Sequence, residues 1–247
     1  MEKQVNDIVA WLQEQLSMTE AKGFVVGVSG GLDSAVVANL IKLAAPNNSL
    51  GILLPIYSNP QSMEHGKKVV EQCGIESLTL DLTKTHELMY SLIKEQLMEK
   101  KTFNESKDRI AGANLRARLR MSALYTVATN FDYLVVGTDN MAEYYTGYFT
   151  KYGDGGVDIL PLVEFTKSEV REMAKYLEVP EEVISKAPSA DLWEDQTDEK
   201  EIGTTYDIID SYLKGEEVPS KDKEIIERLH IRSAHKREAI PSFKRSK

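Results

Sequence analysis

Three groups of residues in this chain of 247 residues have the chemistry of an anion site. The first is the run Gly27-Val28-Ser29-Gly30-Gly31-Leu32-Asp33-Ser34, set between a strand-like and a helix-like apolar stretch. Ser29, Gly30 and Gly31 let the backbone come close to an anion, and the following helix aims its free amides and positive dipole end at the same point. The run suits a phosphate group, although it lacks the lysine of the G-x-x-x-x-G-K-[ST] loop. The second group is acidic. Asp33 reads either as a helix N-cap or as a ligand for a cation that also holds the phosphate. Glu143 alone reads as a solvated helix carboxylate, but together with Asp33 it offers a second hard oxygen ligand. Asp154, ahead of Gly155-Gly156, reads as a turn residue. The third group is cationic: Lys167 opens a helix, an unfavourable end for positive charge unless an anion lies there.

Four apolar runs must position these groups: Phe24 to Val28, Leu50 to Ile56, Leu78 to Leu82 and Tyr133 to Val136. They are continuously apolar, as strands covered on both faces are, and helical patterns separate them, which predicts a doubly wound, mostly parallel α/β sheet flanked by helices. Residues 34–45 are apolar nearly all round and should lie deep against the sheet, whereas 62–73 and 84–100 show one polar face. One long helix is expected over 105–130, and others over 166–177, 198–213 and 221–236. The stretch from Gly137 to Leu160 is rich in Gly, Tyr, Thr and Asp and has no period, which favours a functional loop.

Thirty Lys and Arg against 39 Asp and Glu give a net charge of -9, with 42% hydrophobic residues. That balance argues against a general binder of nucleic acid or anionic membrane. No run approaches the ~18 apolar residues of a membrane span. The N-terminus reads as an amphipathic helix rather than a signal peptide. Cys73, the one cysteine, fits a reducing compartment and a cytoplasmic location. The charge is uneven, because seven cationic side chains against Glu238 leave the segment from Arg228 to Lys247 at +6. Lys244 to Lys247 read as a solvated tail.

At about 100° per residue, Ala111, Leu115, Leu119, Ser122 and Thr126 fall in one helical stripe, and Arg118 lies about 60° from Leu115. Arg118 is therefore the arginine expected to be partly buried and paired, with Arg116 and Arg120 left to solvent or a subunit contact. Tyr144, Tyr145, Tyr148 and Phe149 could stack on a ligand ring or form core. His230 reads as structural.

SGGLDS resembles the pyrophosphate loop of N-type ATP pyrophosphatases. Over nearly its whole length the chain resembles the ammonia-dependent NAD synthetases, through GVSGGLDSAVVANL, NLRARLRM, GTDNMAEYYTGYFTKYGDGGVDILPL, KAPSADLWEDQTDE and HKRE. The resemblance implies one domain over residues 1–247 without a glutaminase domain, a homodimer, and amidation of deamido-NAD by ammonia through an NAD-adenylate, giving NAD, AMP and pyrophosphate. It implies ATP contacts at Gly27 to Ser34, Thr138, Lys167 and Ser189, and Mg²⁺ ligands at Asp33 and Glu143. It also implies deamido-NAD contacts at Arg118, Lys151, Asp158, His235 and Lys236, and a catalytic pair, Asp154 and Lys167, with Asp154 handling ammonium. Two positions depart from the family pattern: Ser189 stands where threonine is usual, and Asp195 where glycine is common. Two other readings stay open, a tRNA-modifying adenylating enzyme and a nucleotide sensor without catalysis. The first would favour a broader basic surface and, for a thiolase, cysteines beyond Cys73.

Overall fold

In the computed structural model, which describes residues 1–189 and 197–245, side chains alternate along β1 (Gly23–Gly27). Phe24 and Val26, with Val28 beyond, enter one core, and Val25 enters the other. This alternation fixes β1 as the centre of a sheet buried on both faces. β2 (Ser49–Leu53) pairs with it on one side and β4 (Tyr133–Val135) on the other, while β3 (Glu76–Thr79) adds to β2. All pairs are parallel and the order is β3-β2-β1-β4. The chain thus winds outward from β1 and returns to the opposite side for β4, which leaves a switch point between the carboxyl ends of β1 and β4.

On one face, α1 (Glu2–Thr19), α2 (Leu32–Ala44) and α3 (Pro60–Cys73) pack with α7 (Lys167–Tyr176) and α8 (Glu181–Ile184). α2 is buried along almost its whole length, as its apolar sequence requires. α4 (Thr83–Glu99) and α5 (Asp108–Phe131) lie on the other side, where α5 covers β1 and β4. α6 (Met141–Thr146), α9 (Asp198–Ile202), α10 (Tyr206–Leu213), α11 (Ser220–Arg232) and α12 (Ala234–Arg237) make a helical annex with its own small core of Ala142, Ile202, Tyr206, Ile209 and Ile226. Among the described residues no helix is long and apolar enough to cross a membrane.

Several elements differ from the sequence expectation. β3 is exposed along its length, because it is an edge strand rather than one covered on both faces. The helix expected over 198–213 breaks at Gly203, whose φ of 89° ends a turn, and that over 221–236 breaks at Ser233. The 137–160 stretch is not wholly irregular. It holds α6 and returns beside β4, where a parallel bridge joins Val136 to Ile159. Asp195, the position that departs from the family pattern, and Lys247 of the basic tail lie outside the described residues.

Candidate active site

The loop after β1 is held by its own hydroxyls. Ser34 Oγ donates to the Gly31 carbonyl at 3.0 Å and lies 3.0 Å from Ser29 Oγ, which accepts the Gly31 N–H. Gly30, at φ 78°, has no alternative residue, since a Cβ there would stand 2.2 Å from the Ser62 carbonyl oxygen and 2.9 Å from the Gly66 amide. α3 thus presses the loop into the shape in which α2 opens toward the switch point.

Asp33, on the first turn of α2, meets two residues from distant parts of the chain. Lys167 Nζ lies 2.6 Å from Asp33 Oδ2 and 3.1 Å from Glu143 Oε1, and its side chain is only 4% exposed. Asn140 places both acids. Its amide donates to Asp33 Oδ1 at 2.9 Å, and with Glu143 it forms a reciprocal capping box at the start of α6. Tyr206 completes the wall, its hydroxyl within hydrogen-bond distance of Glu143 Oε1 and Asp198 Oδ2, each at 3.0 Å, and its ring 4.7 Å from Lys167 Nζ. Lys167 starts α7, as expected, and the buried Asp210 carboxylate caps that end by accepting the Lys167 and Ser168 amides. The anions that make a lysine tolerable at a helix N-terminus are therefore built into the protein.

Burial pushes the Glu143 carboxyl up to about 7 despite the ammonium beside it, and the Asp33 charge adds to the rise. Burial alone would lower Lys167, but Asp33 and Glu143 outweigh it and hold the ammonium above its ordinary range. Asp139, on the loop before α6, is 5% exposed, and burial followed by repulsion from Asp154 raises its carboxyl well above the ordinary range. Desolvation beside the cavity raises Asp154 in the same direction, although its side chain reaches solvent, and its Oδ1 accepts the Thr150 amide at 3.0 Å, the turn role read from the sequence. Lys236 is lowered, chiefly by burial.

These groups surround a cavity of about 560 Å³, a size suited to a nucleotide-like ligand. All of Gly27 to Ser34 except Gly30 line it, with Thr138, Glu143, Asp154, Lys167, Ser189 and Lys236. Arg118, Lys151, Asp158 and His235 do not. Three of them form a chain outside the cavity, in which Arg118 Nη2 donates to the Lys151 carbonyl at 3.3 Å and Lys151 Nζ donates to the His235 carbonyl. Asp158 is anchored by the Tyr125 hydroxyl at 2.9 Å and the Val135 amide at 2.8 Å. Tyr148 and Phe149 line the cavity. Tyr145 instead stacks on His230 with centroids 4.0 Å apart, which agrees with a structural role for that histidine.

The expectation for the arginines is corrected. Arg118 is exposed, whereas Arg116 and Arg120 are half-buried. Arg120 donates to the Leu54 carbonyl at 3.0 Å and lines the cavity, and Arg116 stacks over Tyr57. The buried stripe of α5 is built from Gly112, Ala113, Ala117 and Ala128, small residues that let the helix approach the sheet, whereas Leu115 and Leu119 are half-buried and Ala111, Ser122 and Thr126 exposed. Sequence reading also passed over Asp139, Asn140, Lys186, Asp198, Tyr206 and Asp210. Only Asn140 carried a local signal, the N-x-x-E capping pattern with Glu143.

Among the described residues no group of three His, Cys, Asp or Glu side chains could hold a metal ion. Asp33 and Glu143 nevertheless converge on one cation, the Lys167 ammonium, and Mg²⁺ is commonly held by one or two carboxylates plus substrate phosphates and water. The donor set fits such an ion.

A parallel sheet with a glycine loop, a buried lysine and two carboxylates at its switch point defines an α/β nucleotide-binding protein built to manage polyphosphate charge. Within that class the chain belongs to the NAD synthase family, whose sequence pattern matches residues 4–247. It is 56% identical over 244 residues to the NH3-dependent NAD⁺ synthetase of Alkaliphilus oremlandii, covering 99% of this chain and 98% of that one. Among solved structures it is similar to an NMN synthetase from Francisella tularensis, at 40% identity and a TM-score of 0.89 over 98% of this chain and 97% of the other. It is also similar to the NH3-dependent NAD synthetase of Campylobacter jejuni, at 26% identity and a TM-score of 0.77 over 98% of each.

Proposed function

We propose that this chain is a ligase that amidates the nicotinate carboxylate of deamido-NAD with ammonia, through an NAD-adenylate formed from ATP. The observation that carries this reading is the convergence of Asp33, Glu143 and Lys167 beside the 27–34 loop. The loop amides and the α2 N-terminus bind phosphate oxygens, Thr138 and Ser189 contact the nucleotide, and Lys167 turns from the two carboxylates toward the phosphates. Mg²⁺, bound by Asp33 and Glu143, would supply charge neutralisation on the polyphosphate. No side-chain nucleophile is needed, because the substrate carboxylate attacks the α-phosphorus and ammonia then displaces AMP. The protein contributes positioning and exclusion of water, with Asp154 at the cavity wall as the group that handles ammonium and Arg118, Lys151, Asp158, His235 and Lys236 holding the deamido-NAD.

The likeness to an NMN synthetase favours a second acceptor, deamido-NMN, which carries the same nicotinate carboxylate on a smaller ligand. Purified protein given ATP, Mg²⁺ and ammonium should form AMP and pyrophosphate in equal amounts with the amide product, and kcat/KM for the two acceptors decides between them. Absence of AMP with both would sink the enzyme reading and favour the nucleotide sensor; AMP formed only with tRNA would favour the tRNA-modifying reading.

A single synthetase domain working on free ammonia in the cytoplasm as a homodimer completes the proposal. The dimer has support in an apolar surface. Leu88 is 66% exposed and Leu92 55%, with Met89, Ile93 and Met98 beside them on α4 and Leu78 on β3. Leu88, Met89, Leu92 and Ile93 recur at i, i+1, i+4 and i+5, one side of the helix, and apolar side chains exposed together in this way mark protein contacts.

A further inference from the structure

A helix leaves its last four carbonyls without partners inside the helix. At the end of α6 these belong to Tyr144, Tyr145, Thr146 and Gly147, and each meets a side chain from the 230–237 segment, where α11 gives way to α12. Arg237 Nη1 donates to the Tyr144 carbonyl at 3.2 Å, and Lys236 Nζ donates to that of Gly147 at 2.7 Å. Between them, His230 Nδ1 lies 2.9 Å from the Tyr145 carbonyl and Ser233 Oγ 3.1 Å from that of Thr146. The seating is close, since a Cβ on Gly147, at φ 69°, would stand 2.1 Å from that of Ser233.

Arg237 ties this cap together. Its Nη1 also donates to Ser233 Oγ at 2.6 Å, and its Nη2 donates to the His230 carbonyl. No residue of α12 is buried, so polar contacts rather than apolar packing hold that helix in place. What they place is Lys236, whose Nζ is fixed by the Gly147 and Phe149 carbonyls at the wall of the main cavity. The other end of α6 is secured independently, by Asn140 on Asp33 and by Glu143 on Lys167. Loosening the carboxyl end therefore leaves the phosphate-binding cluster where it is.

We propose that Arg237 is a positioning residue for the acceptor nucleotide: by clamping the 230–237 segment to the carboxyl end of α6, it holds His235 and Lys236 where they meet that ligand. This rests on the amidation reading above and adds to it a residue that does not line the main cavity and acts through its neighbours. Contacts made alike in the bound and the reacting states lower KM without changing kcat, so the loss of a clamp on such contacts is read in KM.

The test is Arg237→Met, which keeps much of the side chain and removes its donors. The KM for the acceptor, deamido-NAD or deamido-NMN, should rise at least tenfold with kcat within threefold, while ATP affinity measured by calorimetry without acceptor stays within twofold. Arg237→Lys, which keeps the charge but not the planar fork, should raise KM by an intermediate amount. An unchanged KM overturns the proposal. So does a fall in kcat at constant KM, the mark of a smaller folded fraction, or a loss of ATP affinity in step with KM. Should Arg237→Met fail to fold, Arg237→Lys decides alone, and a KM within twofold of the unmodified protein refutes the role. Absence of AMP from the unmodified protein with either acceptor would instead overturn the amidation reading itself.

Discussion

Lys167 occupies the position of a cation between Asp33 and Glu143, yet it only partly offsets the burial and the Asp33 charge that bear on Glu143. Its carboxyl is moved from 4.5 to about 7, so between those values the folded protein holds a proton that the unfolded chain has released. Stability of the ligand-free protein therefore falls as pH rises from about 4.5 to about 7, by up to about 3 kcal/mol, and the full cost stands above that range. Glu143→Gln should flatten this part of the unfolding free energy measured by urea denaturation; an unaltered slope would assign the titration to another group. Lys167→Met leaves two buried carboxylates face to face and should cost about 3 kcal/mol, the usual penalty for breaking a buried pair. Millimolar Mg²⁺ should restore more stability to this variant than it adds to the unmodified protein, because the cation position is then open. Equal effects would argue against a shared carboxylate site. Asp33 and Lys167 stood out because each lies beside a local oddity, a glycine turn and a cation at the wrong helix end, whereas Glu143 reads as a solvated carboxylate until it is paired with Asp33. Asp210 and Tyr206 did not stand out, since a carboxylate and a phenol in the middle of an amphipathic helix carry no sign of what tertiary packing brings to them.

At the scale of elements, the loop and its supporting helix act as one piece. Gly30→Ala would force a side chain into the Ser62 carbonyl and strain a positive φ, for which the backbone preference alone is about 1–2 kcal/mol. We expect ATP affinity, measured by calorimetry, to fall at least tenfold, with the far-ultraviolet circular dichroism unchanged; retained affinity would mean that α3 yields. The four strands were readable to within a few residues, because parallel strands buried on both faces announce themselves as apolar runs. β3 misled, since LTLDL has a strand composition but sits at the sheet edge. α5 misled in a more instructive way. Its leucines drew the eye to one stripe, whereas close packing on a sheet needs Gly and Ala, and the arginine assignment rotated with it. Helix breaks at Gly203 and Ser233 were lost because the amphipathic pattern carries on across them.

For the whole molecule, the apolar face of α4 matters most. Leu92→Glu, alone or with Leu88→Glu, changes no residue of the main cavity and should convert the proposed homodimer to monomers in sedimentation velocity runs. A protein that stays dimeric has its interface elsewhere. The other large-scale feature is the helical annex, which has a small core of its own yet touches the charges beside the sheet where Glu143 meets Lys167. A unit of that kind can open with less free energy than global unfolding requires. Backbone amides in α10 and α11 would then exchange with deuterated solvent while those of β1 stay protected, and ligand in the cavity would slow the first set long before it altered the second. Release of a finished product would then ask only for the annex to breathe, and the sheet need never loosen.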